Sequence, residues 1–428
     1  MYFYTSISED APKLNNTWGD FNKVINYIVD GGTEYPVVKI EPHSDQKVKI
    51  FYDKLELTKC PWALSQTVTV SGTTNYNNDY FIESISDDGN FVIGYNSTIV
   101  FDTSEIENPT EGFVKTKASG IQRIFGGVEE NRTVIQFENS VQYRIDDRDV
   151  GQLMDPPVNW DNTYWLKFAR VCMSSNFESL DFTPNRQYPF NATRPDENIK
   201  PYGNYVGQSL MVYNTATESH YYITQGYNVG YNHYKIWASE NIMYIQLFGT
   251  NYGYNGSYSR TYIMGGIESY YDDGTPNGLL QSSCPRNDVY NTSNQNFYMY
   301  DVSGAPGFMT VGADRNTMHC ALYDSLHSRS SVHAYFLGEY ALGNSAPSGY
   351  GGVSYPNVID GSIVTSNVIV YADNLPYGKL YDLKWINSNY RPGHDQYQMI
   401  DGDLYVSLRW NCNNDAYTST TFVKLTRG

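Results

Sequence analysis

The sequence predicts a mainly β protein, built of antiparallel sandwich or barrel-like sheets with one short α-helix near the N-terminus. Three observations carry that expectation. Tyrosine supplies 41 of 428 residues, against 29 for lysine and arginine together, and it sits among Asn, Gly, Ser and Thr. A flat apolar ring with a hydroxyl tip and few rotatable bonds favours pleated sheets and contact surfaces over helices. Short β-prone runs recur along the chain, and Asp-Gly or Asn-Gly pairs, which tolerate the positive φ of tight hairpins, punctuate them.

The helix is expected first. Trp18, Phe21, Val24, Ile25 and Ile28 recur at helical spacing, Thr17 with Asp20 resembles a capping pair, and Gly31-Gly32 supplies a stop. Strands follow at Val37–Ile40, Lys47–Tyr52, Thr67–Val70, Tyr80–Ile85, Phe91–Tyr95, Thr133–Phe137 and Val141–Ile145, and the chain closes with Leu404–Leu408 and Thr421–Leu425. Turn dipeptides fall at Asp30-Gly31, Asp88-Gly89, Asn255-Gly256, Asp273-Gly274, Asn277-Gly278, Asp360-Gly361 and Asp401-Gly402, most of them expected at hairpin tips. No second amphipathic stretch of helical length interrupts the pattern, which argues against alternating βα units. The Pro pair in Asp155-Pro156-Pro157-Val158 marks a boundary, giving an N-terminal arm, helix and small β region over 1–158 and a larger sandwich-like domain over 159–428.

Charge narrows the partners. A net charge of −17 with no run of Lys or Arg repels phosphate, so no nucleic acid is expected, while it keeps a protein of many copies soluble. Five cysteines, Cys60, Cys172, Cys284, Cys320 and Cys412, are widely spaced and odd in number, so they read as free buried thiols made in a reducing compartment. The opening Met1-Tyr2-Phe3-Tyr4-Thr5-Ser6 lacks a basic and apolar leader, so neither Sec export nor membrane insertion is expected.

Motifs for chemistry are sparse. Phosphate-cradling, dinucleotide, nucleophile-elbow and HExxH patterns are missing from the sequence. His319, Cys320, Asp324, His327 and His333 form the best metal candidate, yet their spacing matches no structural zinc motif and ordinary histidines explain them more simply. The runs Asp146-Asp147-Arg148-Asp149 and Tyr270-Tyr271-Asp272-Asp273-Gly274 could gather oxygens around calcium, but solvated turns are the simpler reading. No cofactor and no catalytic residue is expected. The Tyr-rich stretch holding Tyr252, Tyr254 and Tyr258, followed by Tyr270 and Tyr271, has the composition of contact loops. Its rings could pack on neighbouring subunits, stack on sugars or simply cover their own sheet. Tyr2 and Tyr4 in the N-terminal arm complete the set of candidate interface residues.

Several stretches resemble a family of tailed-bacteriophage virion structural proteins. At the N-terminus these are Tyr2, Tyr4, Ser6, Ala11-Pro12-Lys13-Leu14 and a helix closing at Val29-Asp30-Gly31-Gly32. At the C-terminus they are Gly378-Lys379-Leu380-Tyr381-Asp382-Leu383, Arg391-Pro392-Gly393-His394 and Gly402-Asp403-Leu404-Tyr405. Between them, Trp237-Ala238-Ser239-Glu240-Asn241-Ile242-Met243-Tyr244-Ile245 with Phe248-Gly249 is similar to a middle strand of that family. The resemblance implies a non-enzymatic component of a virion neck, collar or tail, made in the host bacterial cytoplasm and working with other virion proteins in a symmetric multi-copy assembly. The arm Met1–Leu14 would then reach across an interface. A host glycan- or receptor-binding decoration or tail-tip protein, and a polysaccharide depolymerase, are the alternatives.

Overall fold

The computed structural model describes residues 1–15, 17–98, 105–138, 142–147, 229–251, 257–270, 365–372, 375–386, 395–409 and 420–427, together with the strand backbones at 170–174, 209–214, 219–224, 277–282, 296–300, 306–310, 319–324 and 329–338. The fold is mainly β with one helix among the described residues, and its sheets are antiparallel except for one parallel pair. Both a closed barrel and a curled, sandwich-forming sheet are present.

The chain starts with β1 (Tyr2–Thr5) and helix α1 (Asp20–Asp30). Phe21, Val24, Ile25 and Ile28 are buried, as their spacing requires. The capping pair takes a variant form: the Asp20 carboxylate accepts the N–H groups of Asn15 and Thr17 at 2.8 and 3.1 Å, and Gly19 occupies the cap position. Gly31, at φ +80°, ends the helix.

Next come β2 (Tyr35–Ser44), β3 (Lys47–Tyr52), β4 (Thr67–Ser71), β5 (Asn78–Ile85), β6 (Phe91–Tyr95) and β7 (Phe113–Thr116). They close into a barrel in the order β2-β3-β6-β5-β4-β7. Alternation puts Val48 and Ile50, Val68 and Val70, and Tyr80 and Ile82 inside, where they form one core. Trp62 plugs one end of this core, edge-on to Tyr35 and Tyr52 with ring centroids at 5.4 and 4.7 Å.

A second sheet, in the order β13-β12-β11-β10-β9-β8, contains β8 (Gln122–Gly127), β9 (Arg132–Gln136), β10 (Gln142–Asp146), β11 (Arg170–Ser174), β12 (Ser209–Asn214) and β13 (Ser219–Thr224). Residue 158 lies outside the described residues, and the β10·β11 pairing joins strands from either side of it.

The largest sheet begins with β1 and β14 (Val229–Ala238), then β15 (Ile242–Asn251) and β16 (Ser257–Gly266), with β17 (Glu268–Ser269) attached to a later strand. It continues through β18 (Asn277–Ser282), after which β19 (Asn296–Tyr300) and β20 (Pro306–Thr310) form a separate ribbon. Then come β21 (His319–Asp324), β22 (Arg329–Gly338), β23 (Thr365–Ala372) and β24 (Leu375–Ile386). Three strands complete it: β25 (Tyr397–Ile400), β26 (Asp403–Arg409) and β27 (Thr420–Leu425). The order ends β24-β27-β26-β25, so β1 and β25 are its two outer strands. Its ends fold over one another. Trp237, Tyr244 and Ile263 from the first strands share a core with Leu380, Leu383, Val406 and Val423 from the last ones, and the Met1 carbonyl accepts the N–H of Thr426.

Two sequence expectations are revised here. Asn277-Gly278 is no hairpin tip, because both residues pair within β18. The stretch resembling one middle strand is a hairpin, in which Ala238 ends β14, Ile242 starts β15 and Ser239 N–H bonds the Ile242 carbonyl. By contrast, Asp401-Gly402 forms the expected tight turn, with φ +52° and +88°.

Candidate functional site

The feature that stands out is a groove of about 510 Å³ between the arm, the barrel and the outer strands of the large sheet. Each wall is positioned by its own hydrogen bonds. On the arm, the Lys13 ammonium donates to the carbonyls of Ser6 and Ser8 at 2.8 and 2.6 Å, on either side of Ile7. That clasp, with Ser6 N–H on the Tyr234 carbonyl, holds the Ile7 side chain 66% exposed at the groove.

The barrel wall is the loop over residues 59–64, between β3 and β4. Burying Trp62 in the barrel mouth leaves Leu64 turned outward and 53% exposed. The loop and the arm are tied directly: Asp10 N–H bonds the Pro61 carbonyl, and Ser8 Oγ and Ala63 N–H both donate to the buried Gln66 Oε1. Cys60 Sγ accepts from Tyr52 Oη at 3.0 Å, and burial pushes its thiol up. It is free, as expected.

The third wall comes from the large sheet. Phe3 stacks on Trp237 at 5.6 Å, and Val406 and Tyr397 pair across β26 and β25 on the opposite side. Tyr397 and Met399, on one face of β25, are 47% and 49% exposed. Charge is confined to the rim and is paired there, Lys235 with Asp395 at 2.5 Å and Lys59 with Glu9 at 3.8 Å. Among the nine exposed large hydrophobics of the described residues, Ile7, Leu64 and Tyr397 line this groove and Met399 follows on the same strand face. A concentration of that kind marks a contact surface rather than scattered surface apolarity.

Of the tyrosines singled out from sequence, the side chains of Tyr2, Tyr4 and Tyr270 fall among the described residues. Tyr4 is wholly buried: its hydroxyl donates to the Lys117 carbonyl at 2.8 Å and its ring meets Tyr27 edge-on, so in the single chain it offers no face to a partner. Tyr2 is half-buried beneath Lys117, whose Nζ lies 5.7 Å from its ring, and burial raises its phenol. Tyr270 is exposed. Tyr252, Tyr254 and Tyr271 lie outside the described residues, as does the side chain of Tyr258. The arm as a whole lies along its own chain, β1 pairing antiparallel with β14 from Tyr2↔Ala238 to Thr5↔Lys235.

The acidic run at 146–149 requires a correction. Asp147 is no solvated turn residue; it is 1% exposed beneath α1, where its Oδ2 accepts the Asn22 N–H at 3.0 Å. Around it, Asn22 donates to the Gly127 carbonyl, Asn26 donates to the Asn22 carbonyl and to Thr133 Oγ1, and Thr133 donates back to Asn22 Oδ1. This is a buried polar seam fixing helix to sheet. Among the described residues, no three His, Cys, Asp or Glu side chains gather closely enough to hold a metal ion. Of the candidate metal set, His319, Cys320 and Asp324 fall on β21 and His333 on β22, where Ala321 opposes His333, while His327 and all of these side chains lie outside the described residues. No helix among them is long and apolar enough to cross a membrane.

No family model matches this chain, and no curated protein matches it.

Proposed function

We propose that this chain is a non-enzymatic structural component of a tailed-phage particle, in its neck, collar or tail, working by multi-copy protein–protein assembly. The observation that carries the reading is the groove: apolar side chains at Ile7, Leu64 and Tyr397, with Met399 beside it, are held toward solvent on hydrogen-bonded scaffolding. Holding such side chains out costs solvation, and burial against a neighbour recovers roughly 25 cal/mol per Å². The motifs at both ends of the sequence and the acidic net charge of −17 support the same reading.

The test is quantitative mass spectrometry of purified particles, wild type against Ile7→Glu and Leu64→Glu. Expected are several copies per particle for the wild type and reduced incorporation for both variants at unchanged melting temperature. Absence of the wild-type chain from particles, or release of reducing ends from host polysaccharide by the purified chain, defeats the reading.

A further inference from the structure

We infer that the groove takes an extended, uncharged segment of a different polypeptide, which adds to β25 as a further strand of the large sheet. This deepens the assembly reading and rests on it.

The backbone of β25 leads to this occupant. Ser407 N–H bonds the Gln396 carbonyl, and Tyr397 stands opposite Val406. Ladder bonds in an antiparallel pair fall on alternate residues, so Gln396 and Gln398 bond to β26 while the N–H and C=O of Tyr397 and Met399 point away from it. Among the described residues β25 pairs with β26 alone. Natural outer strands block such an edge with Lys, Pro, a bulge or an inward charge. Tyr397-Gln398-Met399-Ile400 has none of these, and its pairing to β26 is regular.

The side chains say what kind of segment fits. Tyr397 and Met399 alternate onto one face, as the contact residues of an added strand require. With the lining charges already paired as Lys235–Asp395 and Lys59–Glu9, a charged occupant finds no partner there, and an uncharged one displaces only the long 3.4 Å bond from Gln398 Nε2 to the Met399 carbonyl. Size argues for a segment over a globular face. A stable pair of proteins buries about 800 Å² on each partner, whereas a strand laid along the four residues of β25 runs only about 13 Å at roughly 3.3 Å per residue.

The test uses the full chain and capped six-residue probes, acetyl-Thr-Val-Thr-Val-Thr-Val-amide and the same frame with Leu, Ile or Phe in place of Val. Titration is followed by tryptophan fluorescence and by amide hydrogen exchange. Expected is saturable binding of at least one probe, exchange at Tyr397 and Met399 slowed tenfold or more, and affinity lowered at least tenfold by Met399→Lys and, separately, by Leu64→Glu. A frame with Lys at the Val positions is expected not to bind. Failure of every uncharged probe to bind overturns the inference, as does binding that leaves the Tyr397 and Met399 amides unprotected. So does concentration-dependent dimerisation of the chain that Leu64→Glu abolishes, which would make the occupant a second copy. Probe binding by a chain that is absent from particles would retain the groove as a strand acceptor while defeating the assembly reading, whereas incorporation without probe binding would do the reverse.

Discussion

The carboxylate of Asp147, just past the end of β10 in the second sheet, accepts the backbone N–H of Asn22 in the first turn of α1, across 125 residues of sequence. A negative charge at a helix N-terminus is favourable, but this one is buried, and loss of solvation dominates its titration. Its carboxyl is pushed up to about 7, with hydrogen bonds from the helix N–H groups and the neighbouring Asp20 as smaller influences. An unfolded aspartate titrates near ~3.9. Between those values the folded chain holds a proton that the unfolded chain has lost, so this group's contribution to stability falls as pH rises from ~4 to about 7. Asp147→Asn removes the titration. The melting temperature of the variant relative to wild type is expected to be higher at pH 8 than at pH 5, and a difference that does not change with pH would rule the mechanism out.

Tyr143 joins two sheets. Its hydroxyl donates to the Gly265 carbonyl at 2.8 Å and accepts the Gly265 N–H at 3.0 Å, in a buried setting. Tyr143→Phe keeps the ring against Phe137 but removes the partner of two buried backbone groups. A cost of about 2–4 kcal/mol is expected, since each orphaned group forfeits ~1–3 kcal/mol and some relaxation recovers part of it. Denaturant melts of the full chain measure it; a loss under about 1 kcal/mol would mean that water replaces the phenol.

Two glycines separate steric from conformational causes. A Cβ on Gly378 would press into the backbone of Glu268, where β17 pairs antiparallel with β24. At Gly402 the space is open but φ is +88°. Gly378→Ala is expected to cost about 1–3 kcal/mol through displaced backbone. Gly402→Asn should be nearly neutral and Gly402→Val should cost about 1–2 kcal/mol, because asparagine tolerates positive φ and β-branched residues do not. Equal effects of Asn and Val at 402 would contradict the turn assignment.

Arg427 clamps the barrel to the last strands. Its guanidinium meets Glu83 at 2.7 Å and lies 4.2 Å from the centroid of the Tyr95 ring. Arg427→Lys keeps the charge but loses the planar stacking, so we expect a loss of about 0.5–1 kcal/mol, with Arg427→Ala losing more. Limited proteolysis should show faster cleavage between barrel and large sheet in the alanine variant. Unchanged cleavage would show that the clamp contributes nothing.

Much of the fold was legible because period and turn chemistry are local. The Phe21, Val24, Ile25, Ile28 spacing located the helix, and Lys47–Tyr52 and Phe91–Tyr95 are strands at the residues expected. The site was not legible, since its walls come from residues 3–9, 59–64, 85, 235–237 and 395–406, and only folding brings them together. Asp147 was misread for a related reason: an Asp-Asp-Arg-Asp run looks solvated until a distant helix end is placed on it. In Gly378-Lys379-Leu380-Tyr381-Asp382-Leu383, a spacing of three should put the two leucines on opposite faces of a regular strand. Both are buried in one core because the strand bulges, with Asp382 at φ +54°. Composition had emphasised tyrosine, yet Ile7 and Leu64, ordinary residues in ordinary surroundings, project furthest at the groove.

The bonds between Met1 and the segment Lys424–Thr426 bear on how the molecule is made. Residues 1–5 leave the ribosome long before β14 and hundreds of residues before β27, and loop closure over such separations is slow. Until β14 is made Phe3 lacks the Trp237 ring it stacks on, whereas Tyr4 can already meet Tyr27 and Lys117, and the barrel, whose pairings are all local to residues 35–116, is free to form first. The large sheet is thus completed only once β27 has been made, and a chain interrupted before residue 420 carries an unsealed sheet that invites association with others of its kind.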